Sequence, residues 1–144
     1  MREKLLSFLG LMRRAGALKL GETNTGAAVR SGKAKLLLLA LDASENALGR
    51  AAGFARGRSV LTVPLPFTKE ELAGALGSGS CAMLAVTDLG FANALMKLLR
   101  QTEPERYREL AQETARRYEK AERRKREQAA HERNKRIGKR RTNV

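Results

Sequence analysis

Residues able to hold an anion concentrate in one stretch, 21–44, which reads GETNTGAAVRSGKAKLLLLALDAS. Gly21, Glu22, Thr23 and Asn24 form a polar turn, and Thr23 and Asn24 are placed to cap the following helix by accepting its free N–H bonds. The start of that helix offers N–H groups to a phosphate or carboxylate. Arg30, Lys33 and Lys35 follow at the helix exit, where two lysines beside a capped turn suit phosphate better than a merely solvated surface. GETNTG fits neither the GxGxxG nor the GxxxxGK[ST] spacing, which sets a nucleotide-binding loop aside. The stretch reads as a platform for an anionic backbone.

Covalent and metal chemistry find no comparable cluster. Asp42 and Asp88 each follow an apolar run and are explained as helix caps, since no histidine or metal-ligand group accompanies either. Cys81 is the single cysteine, so an internal disulfide and a cysteine-based zinc cluster are excluded. With no histidine ahead of His131 to activate it, Cys81 reads as a small buried hydrophobe. The sequence therefore predicts no catalytic residues, no metal, no cofactor and no small-molecule substrate. The start, MREKLLSFLGLMRRAG, has charges before an apolar run but continues into Arg13 and Arg14 with helical periodicity, so it reads as folded protein. No run reaches the roughly 18 apolar residues of a membrane span. One cysteine and no span make a reducing, cytoplasmic setting the expectation.

The elements that must position the platform follow from periodicity. Leu5, Phe8, Leu9 and Met12 repeat at helical spacing, which predicts a helix ending near Ala15 and Gly16. A short extended piece over 17–20 leads into the turn, and Gly32 stands where a left-handed helix end would fall. Residues 36–41 form a continuous apolar run, expected for a central strand covered on both faces. Asp42 and Ser44 offer caps for a helix over 47–54, with Glu45 spaced from Asp42 as a capping-box partner. A strand over 59–63 is closed by Pro64 and Pro66. Thr68 with Glu71 then predicts a capped helix that stops at Gly77. After the small-residue loop 77–80, a strand over 81–87 precedes a helix capped by Asp88. Strands alternating with helices imply an α/β fold, a three-layer α/β/α sandwich on a mixed sheet of about four strands.

Charge divides the chain differently from hydropathy. The net charge of +14 and pI near 10.9 favour a polyanionic partner, nucleic acid before membrane surface. Residues 1–100 and 101–144 each carry +7, but the second segment has almost no large aliphatic residues and is expected to bury little. The sequence thus predicts a domain over 1–100 and a basic extension over 101–144, helical to about 130 and disordered beyond. Thr102 with Glu105, and Pro104 in the first turn, mark the start of that helix. Tyr107, Leu110, Thr114, Tyr118 and Ala121 make a thin apolar stripe. Six basic residues and no acid follow from Arg133 onward. With no Trp and 4% aromatic residues, a stacking platform for single strands is disfavoured, and structured RNA fits better.

LLSFLGLMRRAGALKLGE at 5–22, AAVRSGKAKLLLLALDAS at 27–44, TKEELAGALG at 68–77 and MLAVTDLGFANAL at 83–95 resemble, in that order, the kink-turn RNA-binding superfamily typified by the ribosomal L-seven-Ae protein, in its YlxQ-like bacterial branch. The resemblance covers most of 1–100 and stops before the extension. It implies an α/β/α sandwich that binds sharply bent RNA without catalysis. The family's Gly-Thr-Asn-Glu turn falls on Gly21, Glu22, Thr23 and Asn24, and its following lysine falls on Ala27. Where the family reads a guanine edge with Glu and holds phosphate with Lys, this chain has a neutral amide and a methyl group, so base-specific reading stays open. The second contact surface implied by the resemblance is the loop at Gly79, Ser80 and Cys81. Ribosomal RNA or the ribosome is the implied partner.

Two other classes compete. Some RNA methyltransferases carry a similar small domain, but they need a second cofactor-binding domain that 101–144 is too short and too charged to supply. A protein-docking adaptor of the transcription or translation machinery, or a general polyanion binder, is the remaining alternative. For the extension itself, counterion release favours nonspecific affinity for RNA or the ribosome, so its deletion is expected to flatten the salt dependence of binding.

Overall fold

The computed structural model describes residues 1–142. Its elements, in order, are α1 (Arg2–Arg14), β1 (Leu18–Leu20), α2 (Glu22–Arg30), β2 (Leu36–Leu39), α3 (Glu45–Ala55), β3 (Leu61–Pro64), α4 (Lys69–Leu76), β4 (Met83–Val86), α5 (Leu89–Thr102) and α6 (Pro104–Thr142). The four strands form one mixed sheet in the order β1-β4-β2-β3. β4 runs antiparallel to both β1 and β2, and β2 pairs parallel with β3 through the α3 crossover.

The continuous apolar runs become the two central strands because every residue of β2 and β4 is buried. Successive side chains of a strand point to opposite faces, and the two cores divide accordingly. Leu36, Leu38, Leu84 and Val86 pack with Leu5, Leu9 and Met12 of α1, with α4 and with α5. Leu37, Leu39, Met83 and Ala85 pack with Ala28 and Val29 of α2 and Ala47 and Ala51 of α3. Helices on both sides of the sheet give the expected α/β/α sandwich. A buried leucine contributes about 1.5–3 kcal/mol over an exposed one, so β2 alone anchors both faces.

Most of the predicted punctuation is present. Thr68 and Glu71 form the reciprocal capping box, Gly77 ends α4 in the left-handed region, and Asp88 accepts the Phe91 N–H at 2.8 Å. Two caps differ. Asp42 accepts the backbone N–H of Lys69 at 2.8 Å and so serves α4, while Ser44 caps α3 through the Ala47 N–H. Thr102 remains inside α5 with its hydroxyl on the Leu98 carbonyl; the break between helices falls at Glu103, before Pro104.

The largest departure lies after residue 100. α6 packs against α5, and Tyr107, Ala111 and Thr114 are 0%, 5% and 1% exposed. The Tyr107 hydroxyl donates to the Pro64 carbonyl at 2.5 Å. Tyr107 and Thr114 of the thin stripe read from the sequence are thus buried, while Leu110, Tyr118 and Ala121 are half-buried. Helix continues to Thr142, past the end expected near residue 130; of the basic end, residues 143 and 144 lie outside the described residues.

Candidate nucleic-acid interface

The turn after β1 is tighter than its composition suggested. Helix α2 begins at Glu22, with Gly21 as its N-cap and no side-chain cap hydrogen bond. Thr23 and Asn24 lie within the first turn of the helix instead of capping it. Gly21 has φ +87° and ψ 167°, a region essentially confined to glycine. Its N–H is bonded to the Met83 carbonyl at 3.0 Å, which fixes the helix start to the first residue of β4. The first N–H groups of a helix have no intrahelical partner, so this end is open to an anion.

Side chains around the turn divide into fixed and presented groups. Glu22 pairs with Arg50 of α3 at 3.0 Å, and both are well exposed, so the pair contributes little to stability. Asn24 donates from Nδ2 to the Leu20 carbonyl at 3.0 Å, which leaves Oδ1 as an outward acceptor. Thr23 and Ala27 are exposed on the same helix. Gly26 allows close approach of α3, because a Cβ there would lie 2.7 Å from Phe54 Cζ.

The loop ahead of β4 reaches the same edge, since Gly21 bonds to Met83 at the start of β4, and Gly79 and Ser80 are exposed there. Cys81 is corrected from contact residue to core residue. It is 5% exposed, its thiol donates to the Met83 carbonyl at 3.2 Å, and burial pushes its pKa up against the backbone N–H groups of Gly21 and Met83. The chain reverses into β4 here, and a small side chain must pack beneath the turn.

Arg30, Lys33 and Lys35 stand elsewhere. Helix α2 places Arg30 eight residues beyond Glu22, about 12 Å along the axis. The Lys35 N–H bonds to Val86, the last residue of β4, whereas Gly21 bonds to Met83, the first. The three cations therefore lie at the opposite end of the sheet from the uncapped turn. Adjacency in sequence concealed this, because a nine-residue helix separates them. Arg30 lies over the Phe54 ring with its guanidinium carbon 5.7 Å from the centroid, and Arg58 donates to the Val29 and Arg30 carbonyls that end α2.

Positive groups from α6 join Lys35 at this end. Lys35, Arg116, Arg117, Lys120 and Arg124 line one groove of about 390 Å³. Arg117 donates to the Ser59 carbonyl, and Arg116 and Arg117 bind Glu113 at 2.7 and 2.9 Å, which holds its carboxyl at about 2. Their positions at 113, 116, 117, 120 and 124 follow helical spacing, a signal visible in the sequence but masked by the density of charge around it. Among the described residues no group of His, Cys, Asp and Glu could hold a metal ion, and no helix is long and apolar enough to cross a membrane.

No family model matches the chain. The RNA-binding protein YlxQ of Bacillus subtilis (strain 168) is 36% identical over 95 residues, covering 63% of this chain and 90% of the relative. YlxQ of Enterococcus faecium is 33% identical over 98 residues, covering 68% and 93%. Among solved structures, a Bacillus halodurans protein of unknown function superimposes with a TM-score of 0.60 at 28% identity, over 66% of this chain and 95% of that one. The Giardia lamblia 15.5kD RNA binding protein shares the fold, with a TM-score of 0.55 at 18% identity over 72% and 88%.

Proposed function

The chain belongs to the YlxQ family, and from that premise we propose that it binds structured RNA and catalyses no reaction on it. The observation that carries this reading is the edge where the uncapped start of α2 meets the exposed Gly79 and Ser80. There the α2 N–H groups take phosphate oxygens, as helix N-termini do. Asn24 Oδ1 accepts one hydrogen bond from a base edge, and Gly79 and Ser80 let an RNA backbone approach closely. Glu22 acts through Arg50, which it holds beside the edge. The net charge of +14 supports a polyphosphate partner.

A sharply bent, kink-turn-like RNA, ribosomal RNA included, is the substrate class this edge suits, and the cytoplasm is the setting. Phosphate contacts fix register, while base contacts specify sequence. With the neutral amide of Asn24 at the base-reading position, affinity follows backbone shape more than base identity. Electrophoretic shifts with a kink-turn RNA, a plain hairpin and duplex DNA test the reading. Tighter binding to the kink-turn than to the other two is expected; equal, weak binding to all three would reduce the protein to a general polyanion binder.

A further inference from the structure

The basic groove between the sheet and α6 lies at the other end of the molecule from the edge just described; no Asp or Glu is among the residues that line it, and Glu113 pairs with two of its five cations from outside the lining. We propose that this groove is a second binding site for the phosphate backbone of the same RNA, so that the protein grips its target at both ends of the sheet. The inference rests on the RNA-binding reading of the first edge and adds a second, independently built contact.

The groove is built by tertiary structure rather than by a loose charged arm. Arg117 ties α6 to the Ser59 carbonyl ahead of β3, and the burial of Tyr107, Ala111 and Thr114 holds the helix against α5 on the same side. Glu113 bonds both Arg116 and Arg117, which fixes their guanidinium groups in place. Lys35, Lys120 and Arg124 are exposed and, among the described residues, their side chains have no hydrogen-bond or acidic partner. Two oriented guanidinium groups beside three unpaired cations form a cradle of positive charge with a defined shape. Extended phosphate backbone, with a negative charge at each step, complements it.

The groove continues past Arg58 through Gly32, Ala34 and Ser59, which line both this cavity and the adjoining one. Its length suits a strand more than a single free ion. Gly21 and Lys35 are tied to opposite ends of β4, roughly 10 Å apart along the strand, so a single RNA is long enough to reach both sites.

The test uses the full chain and a stem-loop RNA, comparing wild type with the triple variant Lys35→Ala, Lys120→Ala, Arg124→Ala. These side chains are exposed and unpaired, so the thermal melting midpoint should stay unchanged. The slope of log K against log salt should lose about 2–3, at roughly 0.7–0.9 per phosphate contact, and replacing the lysines with arginine should restore it. An unchanged slope in a variant that still binds would overturn the groove and leave the first edge standing. Failure of wild type to bind any RNA would remove both readings together. Tighter, groove-dependent binding of polyglutamate than of RNA would assign the groove to an acidic protein and overturn the proposal.

Discussion

Two glycines at one edge carry different demands. Gly21 holds a backbone conformation that side-chained residues avoid, and it does so where it must both start α2 and bond to Met83. A methyl group there would meet no neighbouring atom, so the penalty of Gly21→Ala is conformational, about 1–3 kcal/mol. Gly79 also faces open space but is not among the positive-φ glycines, so Gly79→Ala should change stability by no more than about 0.5 kcal/mol. Urea unfolding of the two variants separates these cases, and equal midpoints would contradict the strained N-cap. The Gly21 variant should also weaken RNA binding, since its N-cap sets where the α2 N–H groups point. The glycine itself was legible in the sequence. Its role as the cap was not, because Thr23 and Asn24 are the better-known capping residues and only the bond to Met83 moves the helix start ahead of them.

At the scale of elements, the apolar runs revealed more than the polar signals did. The run at 36–41 could be read as a central strand because burial on both faces leaves no alternation, the apolar stretch at 81–87 could be read as a strand, and the two cores are built on both. The signals at 42–45 were ambiguous, since Asp42 and Ser44 are both capable caps two residues apart. Long-range geometry decides: Asp42 reaches Lys69 at the start of α4, and Ser44 is left to cap α3. Removing Asp42 should therefore loosen a helix distant in sequence. For Asp42→Ala we expect a loss of about 0.5–2 kcal/mol, with faster amide exchange at Lys69 and unchanged protection at Ala47. Ser44→Ala should do the reverse; faster exchange in α3 on loss of Asp42 would return that residue to the role its sequence neighbours suggest. The candidate site followed the same pattern. Its turn was read from composition and its loop was implied by the resemblance, whereas the placement of Arg30, Lys33 and Lys35 depended on the length and direction of α2.

For the whole molecule, the decisive question is whether α6 is an appendage or part of the fold, and Tyr107 answers it in a way pH can read. Its ring is fully buried and its hydroxyl donates to Pro64 of β3, so ionisation would place a charge in the core and remove that bond. Burial pushes its pKa up to about 12, with the Arg106 charge opposing the shift and the Glu103 charge adding to it. A folded pKa above the unfolded value of about 10 favours the protonated phenol in the folded chain. The stabilisation is therefore complete below pH 10 and fades as pH rises through about 12. The chain has two tyrosines, so Tyr118→Phe leaves Tyr107 as the sole absorbance reporter. Its tyrosinate band should appear near pH 12 in the folded protein and near 10 in denaturant. Tyr107→Phe should lose about 1 kcal/mol at neutral pH, and Tyr107→Ala about 3–5 kcal/mol. Equal tyrosinate midpoints in the folded and denatured states would mean that α6 leaves the body in solution. In that case the cations of α6 would act as a free arm, and the groove they form with Lys35 would have no fixed shape to offer an RNA backbone.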